Sequence, residues 1–284
     1  VLVLLLEVLH HAFIREREQL VGWFFLLGFF LLGGILVPVL GMVFGCSVQT
    51  LAVTAQDTVV IDALATSLLT ASLATVVALL LGVPLAYALA RTHFWGREIL
   101  LSLVDLPILV PQSVAGVALL LVFGPKTTIG HHLSSIFGLE VVNSLFAIIV
   151  AQVFVSAPFL IRAAMAAFMK VDKRLEYVSR SLGASQGRTF LSVTLPLALP
   201  GIFAGCILTW ARAISEAGTV ILLANEPFTI STLVNFRFQQ YGTREAAPVA
   251  SLLVIICLFL FLMLNLAKYV PSWRSLSEVQ HDHA

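Results

Sequence analysis

The chain has 284 residues, 60% of them hydrophobic and 11% charged, with a formal net charge of +1. Together with a mean hydropathy of +1.03, this excludes an ordinary soluble domain and identifies an integral membrane protein. No basic tract interleaved with aromatics supports a nucleic-acid partner, and three cysteines without CxxC spacing support neither a zinc centre nor a disulfide framework.

In chain order, residues 1–20 open with a short apolar run interrupted by Glu7 and end in Arg15-Glu16-Arg17-Glu18. They read as an interfacial or cytoplasmic segment rather than a span, and no convincing cleavage site follows. Crossing a hydrocarbon core of about 30 Å takes roughly 20 helical residues. Six runs qualify, at about 21–45, 60–90, 103–124, 142–168, 196–224 and 247–270. The expected fold is therefore all-α, a polytopic transmembrane helical bundle of about six spans. One membrane domain covers 21–270, with a charged loop at 170–195 and a loose polar tail at 271–284.

Six spans put both termini on one side. That side carries eleven basic residues: Arg15, Arg17, Arg91, Arg97, Lys170, Lys173, Arg174, Arg180, Arg188, Lys268 and Arg274. The other carries three, Lys126, Arg237 and Arg244. The positive-inside rule then assigns the termini and the 170–195 loop to the cytoplasm.

Within the spans the sequence LP-x3-P-x3-AG occurs twice, at Leu106–Gly116 and Leu195–Gly205. Pro107 and Pro196 suit a first helical turn, whereas Pro111 and Pro200 remove a ladder bond and predict kinks. The Ala-Gly pairs offer small surfaces for close helix approach. The match predicts two equivalent kinked helices.

Ionisable groups inside spans are costly and count as functional candidates. Asp105 is expected to cap the helix after it, and Arg162 to extend its stem toward water. Arg212 and Glu216, four residues apart on one helix, are expected to neutralise each other. Arg212 is also placed to receive an anion, with Ser215 beside it and Gln112 and Ser113 as the comparable polar pair on the third span. These residues describe a pathway rather than a tight site, because few donors converge on it.

The 170–195 loop holds the densest charge. Val171, Leu175, Val178 and Leu182 lay an apolar stripe along a short helix that Asp172 can cap and Gly183 can end. A helix at 172–182, a return arm at 183–195 and a kinked start to the next span at 196–205 are predicted. No phosphate-binding loop exists, since Pro125 replaces a required glycine in Gly124-Pro125-Lys126-Thr127, and no GxSxG or HExxH motif occurs. Energy must come from an ion gradient or another subunit.

LEYVSRSLG followed by ASQGRTFLSVTLPLALPGI resembles the cytoplasmic signature loop of ABC importer permeases, EAA-x3-G-x9-I-x-L-P. Gly183 stands at the glycine and Leu195-Pro196 at the closing pair. Tyr177, Val178 and Ser179 stand at the EAA positions, with Glu176 adjacent. DLPILVPQSVAGVALLLVFG and TWARAISEAGTVILLA are similar to segments of the molybdate/tungstate and related sulfate permeases, so the likeness spans roughly 60–265. The resemblance implies type I ABC importer architecture and a transport subunit without a cofactor or metal of its own. Two copies would form the pathway in the bilayer, two ABC ATPase subunits would bind the loops, and an extracytoplasmic protein would deliver a tetrahedral oxyanion. Leu175, Glu176, Tyr177, Ser179, Arg180, Leu182, Gly183, Ala184 and Ser185 would be the coupling residues. A self-sufficient ion-coupled anion carrier is the competing class. It would have only Asp105 and Glu216 as intramembrane carboxylates to carry a coupling ion.

Overall fold

A computed structural model describes residues 2–137 and 142–267, and every regular element among them is helical. Along the chain these are α1 (Leu2–Gly45), α2 (Val48–Gln56), α3 (Thr58–Arg91), α4 (Arg97–Leu109), α5 (Gln112–Phe123) and α6 (Thr128–Phe137). There follow α7 (Leu145–Lys170), α8 (Lys173–Ser181), α9 (Gln186–Ile214), α10 (Gly218–Leu223), α11 (Ile230–Tyr241) and α12 (Thr243–Ala267). Val21–Gly45 of α1 and α3, α7, α9 and α12 are each long and apolar enough to cross a membrane, and α4 with α5 is a bent pair that together meets the same test. The chain is a multi-pass membrane protein. The expected tail at 271–284 lies outside the described residues.

The centre is α3, α7 and α9 packed on one another. Their contact surfaces are built from small residues at three- and four-residue spacing, which lets backbones approach where lipid removes the hydrophobic drive for association. On α3 these are Ala71, Ala74, Ala78 and Gly82, and on α7 Ala164, all buried. Gly201 and Gly205 of α9 lie against Ala167 and Ala163 of α7. Both predicted Ala-Gly surfaces therefore exist, since Gly116 of α5 meets Leu222 and the Thr219 carbonyl in the same way.

Two expectations are corrected, while α1 runs unbroken from Leu2 into the first span. The third span is broken: α4 and α5 meet at Val110-Pro111 with their axes 111° apart. Val110 is extended (φ −76°, ψ 130°), as steric conflict with the following proline ring demands, and Pro111 has no N–H to continue the ladder. The second copy of the repeat behaves differently, lying inside α9, which starts at Gln186 rather than Pro196 and needs no return arm. A π-turn over Phe190–Thr194 precedes Pro196, with the Leu195 N–H bonded to the Phe190 carbonyl. This wider turn takes up the misfit of the proline ring, so the two copies are not equivalent kinks.

The fifth run also stops early. After Ile214 the chain leaves the helix, because the Ser215 hydroxyl takes the Arg212 carbonyl (3.0 Å) and the Glu216 carboxylate takes the Thr219 N–H (2.8 Å). Local side-chain bonds replace the ladder. Asn143 Oδ1 then accepts from Asn225 N, and the chain turns back so that Ile230 N donates to the buried Ser67 hydroxyl. From there α11 climbs about ten residues of α3, some 15 Å, to an ion pair between Arg237 and Asp57 at 2.5 Å.

Arg237, chiefly through its hydrogen bond, holds the Asp57 carboxyl below the usual carboxylate range. A lowered folded-state pKa adds stability above the ordinary value near 4 and loses it as pH falls through the folded value. Asp57→Asn is thus expected to be less thermally stable than the parent chain at pH 7, with the gap narrowing as the pH is lowered below the ordinary carboxylate value near 4. A gap between their melting curves that keeps its size on acidification would exclude this pair as its source.

Candidate functional site

Two sites emerge. At the end of the bundle where α3 and α7 finish and α9 begins, Asp172 caps α8 by accepting from Arg174 N at 2.9 Å. Gly183, at φ +89°, ends it in the left-handed conformation, with its N–H on the Arg180 carbonyl. Ser185 then caps α9. Both cap predictions hold because caps are local chemistry. Val171 is buried in the core, whereas Leu175, Tyr177, Val178 and Leu182 are exposed, Leu182 at 83%. Arg180 and Ser185 are exposed beside them and Ala184 is half-buried. Among the described residues, none covers the apolar face of α8.

The opposite side of α8 is tied down by a residue pair that local sequence does not reveal. Glu176 Oε1 accepts from Arg91 Nε (3.0 Å), Arg91 Nη2 (2.7 Å) and the Thr194 hydroxyl (2.9 Å). Arg91 Nη2 also donates to the Val171 carbonyl. Ser179 and Thr189 share a hydroxyl contact at 3.1 Å. One carboxylate therefore joins α8 to the end of α3 and to the π-turn of α9. Thr194 is fully buried, so this polar contact replaces water it has lost.

The second site is a cleft of about 250 Å³ at the α4–α5 break, walled by Pro107–Gln112, Val155, Phe159 and Arg212. Arg212 Nη2 lies 2.7 Å from Glu216 Oε2, and Glu216 is wholly buried. Glu216 lies beyond the end of α9, yet the predicted pairing forms. Gln112 packs on Gly218, where a Cβ would come within 2.6 Å of its Oε1, and its carbonyl accepts from Thr219. The structure thus brings Gln112, Arg212 and Glu216 together. Ser113 is exposed and does not wall the cleft, and Ser215 is spent on the Arg212 carbonyl. Of the four prolines, Pro107 and Pro111 border the cleft, while Pro196 and Pro200 lie in α9. The carbonyl of Ser156, three residues before Phe159, accepts from Thr209, which fixes α9 against α7 just below Arg212.

The expected roles of Asp105 and Arg162 are corrected as well. Asp105 lies inside α4 rather than capping a helix, and Arg162 turns to it in an ion pair between α4 and α7, with Arg162 Nε to Asp105 Oδ1 at 2.8 Å. Mutual neutralisation is the cheaper answer for two charges at this depth. Among the described residues, no group of three His, Cys, Asp or Glu is placed to hold a metal ion.

A bundle of spanning helices with a broken member, a half-helix beside it and an uncovered short helix at one end is the architecture of ABC importer permeases. The bacterial transporter involved in import of alginate has a chain of this fold, with a TM-score of 0.68 and 19% identity over 89% of this chain and 96% of that one. The MetNI methionine transporter has another, at 0.57 and 16% over 77% and 96%. A family profile described as binding-protein-dependent transport system inner membrane component matches residues 78–274. The chain belongs to that family. It is 41% identical over 253 residues to the molybdate/tungstate transport system permease protein of Thermococcus kodakarensis, covering 88% of this chain and 96% of that protein. It is 40% identical over 230 residues to a probable molybdenum ABC transporter permease of Haloferax volcanii, covering 81% and 84%. A probable sulfate transport permease of Chlorella vulgaris is 35% identical over 215 residues, covering 74% and 80%.

Proposed function

We propose that this chain is the permease subunit of an ATP-driven importer that moves a tetrahedral oxyanion, molybdate or tungstate, by alternating access. The observation that supports it most is 41% identity across nearly the whole of a molybdate/tungstate permease. A single permease domain over 21–270 would have both termini and α8 in the cytoplasm, in keeping with the basic excess on that side.

In this reading the exposed Leu175, Tyr177, Val178 and Leu182 enter a groove of a partner ATPase, and Ser179, Arg180, Ala184 and Ser185 flank the contact. Glu176 faces inward. The movement of α8 passes through Glu176 to α3 and α9, and along α9 to the cleft, where Gln112, Arg212 and Glu216 border the anion's path. Ser113 and Ser215 would join that path only after a change of conformation. Pro111 sets the break, and Pro107, Pro196 and Pro200 shape the helices that move. A second copy would cover α1, whose Val21–Gly45 stretch buries no residue within its own chain. An extracytoplasmic binding protein would deliver the anion and do most of its selection, since molybdate, tungstate and sulfate share shape and charge.

The test is reconstitution of the chain with its ATPase and binding protein in vesicles. ATP-dependent uptake of radiolabelled molybdate, displaced by tungstate and poorly by sulfate, is the expected result. Displacement by sulfate at equal concentration would favour the sulfate permease reading, and uptake driven by an ion gradient after ATP depletion would favour a carrier. Within the same complex, Leu182→Asp should cut co-purification of the ATPase at least tenfold, because a charge would enter an apolar contact. Unchanged co-purification would remove α8 as the docking element.

A further inference from the structure

We infer that the cleft at the Val110-Pro111 break is a stopping point for one tetrahedral oxyanion, and that Glu216 keeps it weak by competing with the anion for Arg212. This rests on the oxyanion reading above and specifies the chemistry of the path. The cleft, at about 250 Å³, is below the range that encloses organic ligands and suits a single small ion. Its wall carries the donors an oxyanion needs: the planar guanidinium of Arg212, whose fork matches paired oxygens, and the amide of Gln112. Pro111 places no side-chain cap on α5, so the first backbone N–H groups of that helix add to the guanidinium rather than create the site.

Glu216 decides how strongly these donors act. It is fully buried, its Oε1 is held by Thr219 N, and its Oε2 faces Arg212 in an ion pair and, among the described residues, accepts no hydrogen bond. The carboxylate lies against one nitrogen of the guanidinium and offsets its charge, so the pair brings no net charge to the cleft. Gly218 leaves Gln112 packed against the same turn, which keeps the three groups in fixed register. A dianion meeting an unopposed buried arginine would be retained, and retention stops transport. Sharing that arginine with a fixed carboxylate lets the ion arrive, exchange partners and leave, as conduction through any multi-site path requires.

The experiment uses the assembled complex of this chain with its ATPase in detergent, without the binding protein, and radiolabelled tungstate as probe in equilibrium dialysis. Glu216→Gln frees Arg212 and is expected to bind tungstate at least tenfold more tightly than the parent complex while its uptake rate in vesicles falls. Equal affinity in the two would overturn the inference. Arg212→Gln alone would leave a buried carboxylate unpaired and risks misfolding, so the control is the double variant Arg212→Gln with Glu216→Gln, which keeps shape without charge. It should assemble and lose the gained binding. Binding as tight as in Glu216→Gln alone would show that Arg212 is not the anion's partner. A parent complex that imports no oxyanion would instead defeat the functional reading itself, and the vesicle assay separates that failure from this one.

Discussion

Glu176→Ala is expected to lower oxyanion transport at least tenfold and to destabilise the α8 end of the bundle by about 1.5–3 kcal/mol, the range for hydrogen bonds to a charged group. The reason is geometric. Glu176 Oε1 receives three hydrogen bonds, two from Arg91 and one from Thr194, and these side chains come from α8, α3 and α9. Arg91 and Glu176 are only 10% and 16% exposed, so removing the carboxylate strands a guanidinium that water reaches poorly. Without the pair, α8 stays attached through Asp172 and Gly183 but can move without moving α3 or the π-turn. The ATPase should still bind and still hydrolyse ATP, so the loss appears as hydrolysis without uptake. Thr194→Val removes one of the three bonds and should produce a smaller defect of the same kind. Restored uptake in the exchanged pair Arg91→Glu with Glu176→Arg would identify the ion pair itself as the agent. If Glu176→Ala transports and melts like the parent chain, the connection between α8 and α9 runs elsewhere.

That pair also marks where sequence stops being informative. Asp172 and Gly183 were legible because a cap depends on neighbours two or three residues away, and both act as read. Pro111 was legible as a disturbance, but its size was not: a proline predicts a missing bond, whereas the 111° turn also needs α10 and its Gly218 to receive the redirected α5. The Arg212–Glu216 pairing was legible from spacing. The helix end between them was not, since the polar stretch Ser215–Thr219 is too short to divide the apolar run, and the chain is turned by a hydroxyl and a carboxylate bonding to backbone. Arg91 with Glu176 and Asp105 with Arg162 lie 85 and 57 residues apart, and no local pattern connects them. The exposed face of α8 illustrates the opposite limit, because the stripe was correctly seen but only Val171 is buried by this chain, and a stripe does not say whose core it completes.

Gly201→Ala should destabilise the chain by about 1–3 kcal/mol, the usual cost of adding atoms to a filled contact. The new Cβ would lie 2.5 Å from the Cβ of Ala167, closer than any two such carbons pack, and a Cβ cannot rotate away. At Gly205 the added carbon would meet Ala163 Cβ at 2.8 Å and Leu160 at 3.0 Å, so the two glycines hold one continuous seam between α9 and α7. Gly187, earlier on α9, has no atom within 4 Å of an added Cβ, and Gly187→Ala should not destabilise the chain. The compensating pair Gly201→Ala with Ala167→Gly moves the methyl group across the seam and should recover most of the loss, which a mere helix-propensity effect would not do. Transport should respond more steeply than stability. The cleft is walled by Val155 and Phe159 from α7 and by Arg212 from α9, so separating these helices by even a fraction of an ångström widens it and moves the guanidinium from Gln112. In the single variant, uptake should fall severalfold at a temperature where the protein is still folded, and in the compensated pair it should return together with the melting temperature. Uptake that stays normal while the seam is destabilised would mean that the spacing of α7 and α9 holds the bundle together without setting the cleft.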